Sequence, residues 1–382
     1  MKRNNMFKKT IALFLVLIIL SVPLVSYGEG QDTLEDNLLY FYQVKELVKD
    51  NYAFDINDNE LIQGAIKGLF YFLDDYSNYY TKAEFEELLG SVSGNFVGVG
   101  IVVSEQDGYV VVVEPIEGSP AHKAGMKSKD KVISVDGKNT IGLSSKDVVA
   151  LIKGEKGTKV KIGVKREGQA SPIYFTLTRD EIKLNPISYK ILDKNIGYIK
   201  INQFNENTNE NLIPVLKEFD KKNISKIIID LRDNPGGLLG EVVEVSRHFV
   251  PKGPIVHIKY KNKIEQTYYS ELPKTKYKLV VLVNENSASA SEIFAGAVQD
   301  TKAGTIVGVT TFGKGTVQEI LPLSNGDGMK LTVAEYLTPK KRSINGKGVV
   351  PDVVVEASSS AGTKDPQLEK AMKILQQSVT QL

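Results

Sequence analysis

Three short runs, 197–201, 226–229 and 279–283, are largely apolar, and stretches of helical period separate them. A strand with one wet face alternates apolar and polar residues. Ile227-Ile228-Ile229 and Leu279-Val280-Val281-Leu282-Val283 show no such alternation, so they read as strands buried on both faces of a parallel sheet. Parallel neighbours need crossovers. The patterns running to Phe219, through Leu238, Val242 and Val245, and through Ile293, Phe294 and Ala297 supply them. The expected core is therefore an α/β domain over 181–357, and 382 residues leave room for further domains.

The third apolar run ends at Asn284-Glu285-Asn286 and enters Ser287-Ala288-Ser289-Ala290-Ser291-Glu292, a serine-rich patch where a strand becomes a helix. A second loop, Thr311-Phe312-Gly313-Lys314-Gly315-Thr316-Val317-Gln318, follows the next β-rich run. These two loops suit a serine nucleophile with a lysine base. A hydroxyl attacks well only when a neighbouring base takes its proton, and an ammonium cannot serve. Lys314 must therefore be held neutral, which burial in apolar surroundings favours. Phe312, Val317 and the residues around Ala295 are candidates for those surroundings. Gln318 is placed to orient the amine only if the segment bends, since four residues of straight strand span about 13 Å.

Attack on a carbonyl also needs donors for the developing oxyanion. The amide after the nucleophile, at a helix N-terminus, suits this; it is Ala290 if Ser289 attacks. Asp230-Leu231-Arg232-Asp233-Asn234-Pro235-Gly236-Gly237 offers a second donor at Gly236 or Gly237. The same glycine pair reads equally well as an ordinary strand-to-helix connection. Residue chemistry alone leaves Ser287, Ser289 and Ser291 open as nucleophiles.

The rest of the chain divides into distinct stretches. Lys2, Arg3, Lys8 and Lys9 precede an apolar run of about 15 residues from Ile11 to Val25, the layout of a secretory signal with small residues Ser26 and Gly28 near its end. Residues 1–28 thus read as a signal peptide or, uncleaved, a membrane anchor, and place the remainder outside the cytoplasm. No cysteine is present for a lipid anchor. Region 29–92 reads as helical, with Leu34, Leu38, Phe41, Val44 and Val48, then Ile62, Ile66, Leu69 and Leu73, at helical spacing. Thr81 and Glu84 form a capping-box pattern for a third helix. Region 93–180 is β-rich, with a hairpin signal at Asp136-Gly137 and a helix through Val148, Leu151 and Ile152. A linker and an amphipathic helix carrying Leu368, Ala371, Met372 and Leu375 occupy 358–382.

The serine patch, the Phe312–Gln318 loop and the Asp230–Gly237 loop, in that setting, resemble the C-terminal processing (tail-specific) serine peptidases of the S41 type, over residues 34–355. The resemblance implies Ser289 as nucleophile, Lys314 as general base, Gln318 as its partner, and an oxyanion hole from Ala290 with Gly236 or Gly237. It implies a multidomain α/β protein: a helical N-terminal arm, a PDZ domain and a ClpP/crotonase-like core. In that family the arm also builds a homodimer. Asp74-Asp75-Tyr76-Ser77 departs from the family, which usually has proline where Asp75 stands, so a looser turn is expected.

The β-rich module is similar to a PDZ domain, which binds an extended C-terminus by strand addition. Gly98, Val99, Gly100 and Ile101 are expected to offer amides to the terminal carboxylate, and Val148 and Leu151 to line the pocket for the last apolar side chain. The function implied is an exported endopeptidase acting through an acyl-enzyme on substrates read by their C-terminal tails. Two rival readings are a non-catalytic PDZ scaffold and a small-substrate hydrolase, which leaves the PDZ module unexplained.

Composition excludes other chemistry. Loss of the four basic residues in 1–28 would turn a formal net charge of +2 into −2, which is no footprint for nucleic acid. Zero cysteine removes thiolate catalysis and thiolate metal sites. His122, His248 and His257 match no metal or triad spacing, so neither metal nor cofactor is expected.

Overall fold

The computed structural model describes residues 33–262, 264–358 and 364–377. The apolar run 11–25 lies outside them. No helix among the described residues is long and apolar enough to cross a membrane. The chain forms two compact units, dividing between Phe72 and Leu73.

The first unit holds two helices, Leu34–Asn51 and Asp58–Tyr71. Each begins with a capping box: Thr33 N–H donates to Asp36 Oδ2 at 3.0 Å, and Glu60 N–H to Asn57 Oδ1 at 3.0 Å. Neither helix has a buried residue. Leu34, Leu38, Phe41, Val44 and Val48 are all exposed, so the stripe read from the sequence exists but is uncovered. The third expected helix, Lys82–Ser93, belongs to the second unit, so the region 29–92 is not one body.

In the second unit the main core is built on a six-stranded sheet. Its order is Ile187–Leu192, Ile196–Ile201, Lys226–Asp230, Lys278–Val283, Gly304–Gly308 and Val353–Val354. The first pair is antiparallel and the rest are parallel. Both faces are covered, which is why the runs lack alternation. Ile227, Ile229, Val281 and Val283 pack with the helices Thr208–Lys221, Leu239–Ser246 and Ala290–Asp300. Ile228, Val280 and Leu282 pack with Ala371 and Leu375 of the last helix, Pro366–Gln377. Truncating one such side chain, Ile228→Ala for example, removes transfer energy and leaves a cavity, at a cost of about 2–5 kcal/mol.

A five-stranded antiparallel sheet stands beside this core. Gly328–Leu337 pairs with Asn78–Tyr80, Gly253–Tyr260 and Thr316–Pro322. The β-rich module is a separate sheet, Ile101–Gln106, Tyr109–Pro115, Lys131–Val135, Lys159–Lys165 and Ile173–Thr178 in order, with its own core around Val110, Val132, Val148 and Ile162. Asp136 and Gly137 both have positive φ, as a tight hairpin turn requires. Entry and exit of this module form a two-stranded ribbon, Asn95–Gly98 with Asp180–Lys183.

Candidate active site

Ser289 is the residue before the helix Ala290–Asp300, at φ 53° and ψ −114°. The apolar strand Lys278–Val283 delivers the chain to this turn, and the buried face of the helix (Ile293, Phe294, Ala297) fixes it. The three serines now separate. Ser287 is buried and its hydroxyl donates to Leu231 O at 2.8 Å. Ser291 is buried and donates to Asn234 O at 3.0 Å. Both hydroxyls tie the patch to the Asp230–Gly237 loop. Ser289 is partly exposed, and neither bond consumes it.

The Asp230–Gly237 loop lies against Ser289. A Cβ on Gly236 (φ 102°) would come 2.8 Å from Ser289 Cβ and 2.9 Å from Ala290 N, so only glycine fits there. Asn234 is fully buried and holds the turn, donating to Ile201 O at 2.8 Å and accepting from Gly236 N–H at 2.8 Å. The Gly236 amide is thus taken. Phe204 brackets the next residue: its N–H donates to Gly236 O and its carbonyl accepts from Leu238 N–H. Among the described residues the amides of Gly237 and Ala290 have no acceptor. Arg232, in the same loop, pairs with Asp230 at 2.6 Å and reaches Asp365 at 2.8 Å, fastening the loop to the start of the last helix.

Glu292 closes the serine patch and belongs to the first turn of the helix. It is fully buried. One carboxylate oxygen accepts from Thr311 Oγ1 at 2.6 Å and Gly313 N–H at 2.7 Å. The other accepts from Lys314 N–H and Ser289 N–H, both at 2.9 Å. A buried carboxylate is tolerable only with such a full set of donors, and these come from both chemical loops. Tyr336 adds a second bridge: its hydroxyl is 3.0 Å from Ser289 O and 2.6 Å from Lys314 O. Burial, then the Glu292 charge, pushes that phenol well above its usual range, so it stays a donor.

Lys314 is half-buried. Burial, reinforced by the Lys330 charge, lowers its pKa; Asp74 and Glu292 act the other way. Of the residues expected to dry this amine, Val317 is partly buried and Ala295 fully buried, but Phe312 is 56% exposed and gives it little cover. Tyr76 is there instead, with Lys314 Nζ 4.2 Å from its ring centroid. The bend expected before Gln318 is present as a shift of register between Val317 and Gln318. The Gln318 amide, however, donates to the Thr316 hydroxyl at 2.9 Å and the Thr332 hydroxyl at 3.0 Å.

The Asp74–Ser77 turn is tied rather than loose. Asp74 accepts from Tyr76 N–H, the Ser77 hydroxyl and the Thr332 hydroxyl, and Thr332 N–H donates to Ser77 Oγ. An aspartate side chain that bonds its own backbone two residues on makes a turn without proline.

In the β-rich module, Gly98 lies in the ribbon opposite Asp180, and Ile101 opens the edge strand Ile101–Gln106. Val99 is buried, and the amides of Val99 and Gly100 have no acceptor among the described residues. The expected pocket wall needs one correction. Val148 is completely enclosed in the module's core, so only Leu151 presents surface here.

Residues 195–355 match peptidase family S41, and residues 111–166 match the PDZ domain. The carboxy-terminal processing protease CtpB of Bacillus subtilis is 36% identical over 361 residues, 93% of this chain and 75% of that protein. The chain belongs to the C-terminal processing peptidases of family S41. CtpA of the same organism is 40% identical over 314 residues, 81% of this chain and 67% of the relative. The photosystem II D1 C-terminal processing protease is similar in structure, with a TM-score of 0.50 and 30% identity over 88% of this chain and 90% of that one. This S41 member is accordingly a serine-type peptidase with a PDZ domain, which sets aside the non-catalytic scaffold.

Proposed function

We propose that the protein is an exported endopeptidase that cleaves substrates read by their C-terminal tails, with Ser289 as nucleophile and Lys314 as base. The observation carrying this is the sorting of the three serines. Two hydroxyls are spent on the Asp230–Gly237 loop, and the third stands at a helix N-terminus beside unbonded amides. In the reaction, Ser289 Oγ attacks the scissile carbonyl and its proton passes to neutral Lys314 Nζ. The Ala290 and Gly237 amides receive the oxyanion. The lysine proton goes to the leaving nitrogen as the C–N bond breaks, leaving an ester on Ser289. Water then attacks the ester, giving its proton to Lys314, which passes one to Ser289 Oγ as the C–O bond breaks and the new carboxyl group is released.

The PDZ edge strand supports tail binding by strand addition, with the Val99 and Gly100 amides toward the terminal carboxylate. The basic and apolar pattern of 1–25 supports export, cleaved or anchored. The uncovered stripe of Leu34, Leu38, Phe41 and Val44 supports pairing with a second copy. Mass spectrometry of the enzyme quenched during turnover of a peptide ester tests the chemistry. An acyl adduct on Ser289, absent in Ser289→Ala, is expected; an adduct elsewhere, or turnover surviving in the variant, overturns the assignment.

A further inference from the structure

The turn that departs from the family pattern, Asp74-Asp75-Tyr76-Ser77, meets the proposed base. The contact is an aromatic face on an amine: Lys314 Nζ lies 4.2 Å from the Tyr76 centroid. At that range the negative face of the ring attracts a cation and has no comparable attraction for a neutral amine. Among the described residues, Lys314 Nζ makes no hydrogen bond to Ser289 Oγ or to Gln318. The amine is therefore seated in the arrangement that suits its charged form, which cannot take a proton.

The ring is not loosely placed. Tyr76 N–H donates to Asp74 Oδ1 at 2.9 Å, and the same oxygen accepts from Thr332 Oγ1 at 3.1 Å. Thr332 Oγ1 in turn accepts from Gln318 Nε2 at 3.0 Å. Gln318 is thus linked to the base only indirectly, through Thr332, Asp74 and Tyr76. The Tyr76 hydroxyl has no hydrogen-bond partner among the described residues, and its contact with Lys314 is through the ring face.

We propose that Tyr76 is a positioning residue for Lys314: its ring seats the side chain as a cation in the resting enzyme, and the amine leaves the ring to take the serine proton. This rests on Lys314 being the base. The charged groups facing the amine are Asp74 from the same turn, Glu292 from the serine helix and Lys330 from the neighbouring strand. The first two favour the cation as the ring does, and Lys330 opposes it. Burial opposes it too, and the ring contributes to that burial. A test must therefore remove the aromatic face while keeping an apolar side chain in place.

Tyr76→Leu does so, and Tyr76→Phe keeps the face without the hydroxyl. The readouts are the acid limb of the kcat/KM profile on a short peptide and the titration of the Lys314 side chain by carbon-13 NMR in a Ser289→Ala background. With the ring's preference for the cation gone, both midpoints in Tyr76→Leu are expected to move to lower pH by about 0.4–1.5 units. Below the limb, kcat/KM rises about 3- to 30-fold. Tyr76→Phe leaves both near the parent. An unmoved midpoint in Tyr76→Leu reduces Tyr76 to packing and overturns the proposal, as does a move to higher pH, which assigns the ring to drying the amine. An equal shift in Tyr76→Phe assigns the effect to the hydroxyl and also overturns it. If the NMR midpoint moves while the kinetic limb does not, Lys314 is not the kinetic base, and the dyad reading fails separately.

Discussion

The two halves of the site are built differently. On the serine side, the polar side chains around Ser289 are locked. Ser287, Ser291, Asn234 and Glu292 are buried and hydrogen-bonded, and all except Glu292 reach across to backbone carbonyls of adjacent strands or loops. On the lysine side only the backbone is locked, by Glu292 and Tyr336. The amine ends a flexible stem and rests on a ring carried by a turn more than two hundred residues away in the chain. On the proposed reading, the contrast separates a hydrogen-bonded frame for the oxyanion from a base whose amine must move. Control over such an enzyme belongs on the lysine side.

The sharpest way to break this contrast is to remove each half in turn. Ser289→Ala and Lys314→Arg are both expected to abolish turnover of a short peptide, since an arginine does not give up its proton at working pH. Turnover by Lys314→Arg would end the base assignment. In the parent, kcat/KM is expected to rise with pH as Lys314, the proposed base, is deprotonated. That limb is expected below the ordinary lysine range, since burial disfavours the ammonium. A limb at or above that range counts against it.

Glu292→Gln should cost nearly as much. It keeps the shape but presents an NH2 group to amides that need an acceptor, so one donor meets another inside the core. A loss of about 3–5 kcal/mol in stability, read by urea unfolding, is expected together with loss of activity. A fully active, fully stable variant would show that the two loops do not need this link. Tyr336→Phe takes the hydroxyl donor from the Lys314 carbonyl, while the Ser289 carbonyl keeps the Glu292 and Ile293 amides; about 1–3 kcal/mol of stability and a moderate fall in kcat are expected. The smallest effect belongs to the PDZ module. Leu151→Ala should weaken binding of a C-terminal peptide several-fold, measured calorimetrically on Ser289→Ala protein, and leave hydrolysis of a short untailed peptide unchanged. A change in that hydrolysis would connect the module's pocket to the site directly.

Much of the serine side was legible in the sequence because it is local. The apolar run 279–283, the break at Asn284–Asn286 and the helical period after Ala290 are all encoded within about twenty residues, and the strand, turn and helix follow from them. Choosing among the serines was not local. What decides it is that Leu231 O and Asn234 O, over fifty residues upstream, claim Ser287 and Ser291. The lysine side was hardly legible at all. Phe312 is near in sequence but faces outward, and Tyr76 is remote in sequence but faces the amine. Glu292 and Tyr336 read as an ordinary first-turn acid and an ordinary strand residue, since their partners lie on other elements. Val148 misled for the opposite reason. Its helical period correctly marked a buried face, and that burial is complete enough to take it off the pocket wall.

The backbone of Ser289 has a last consequence. A left-sided φ of 53° with ψ of −114° is terrain that a side chain occupies at an energetic loss of about 1–3 kcal/mol. Ser289→Gly should therefore melt at a higher temperature than the parent while doing no chemistry. Selection for endurance alone would have placed a hydrogen atom where the proposed nucleophile stands.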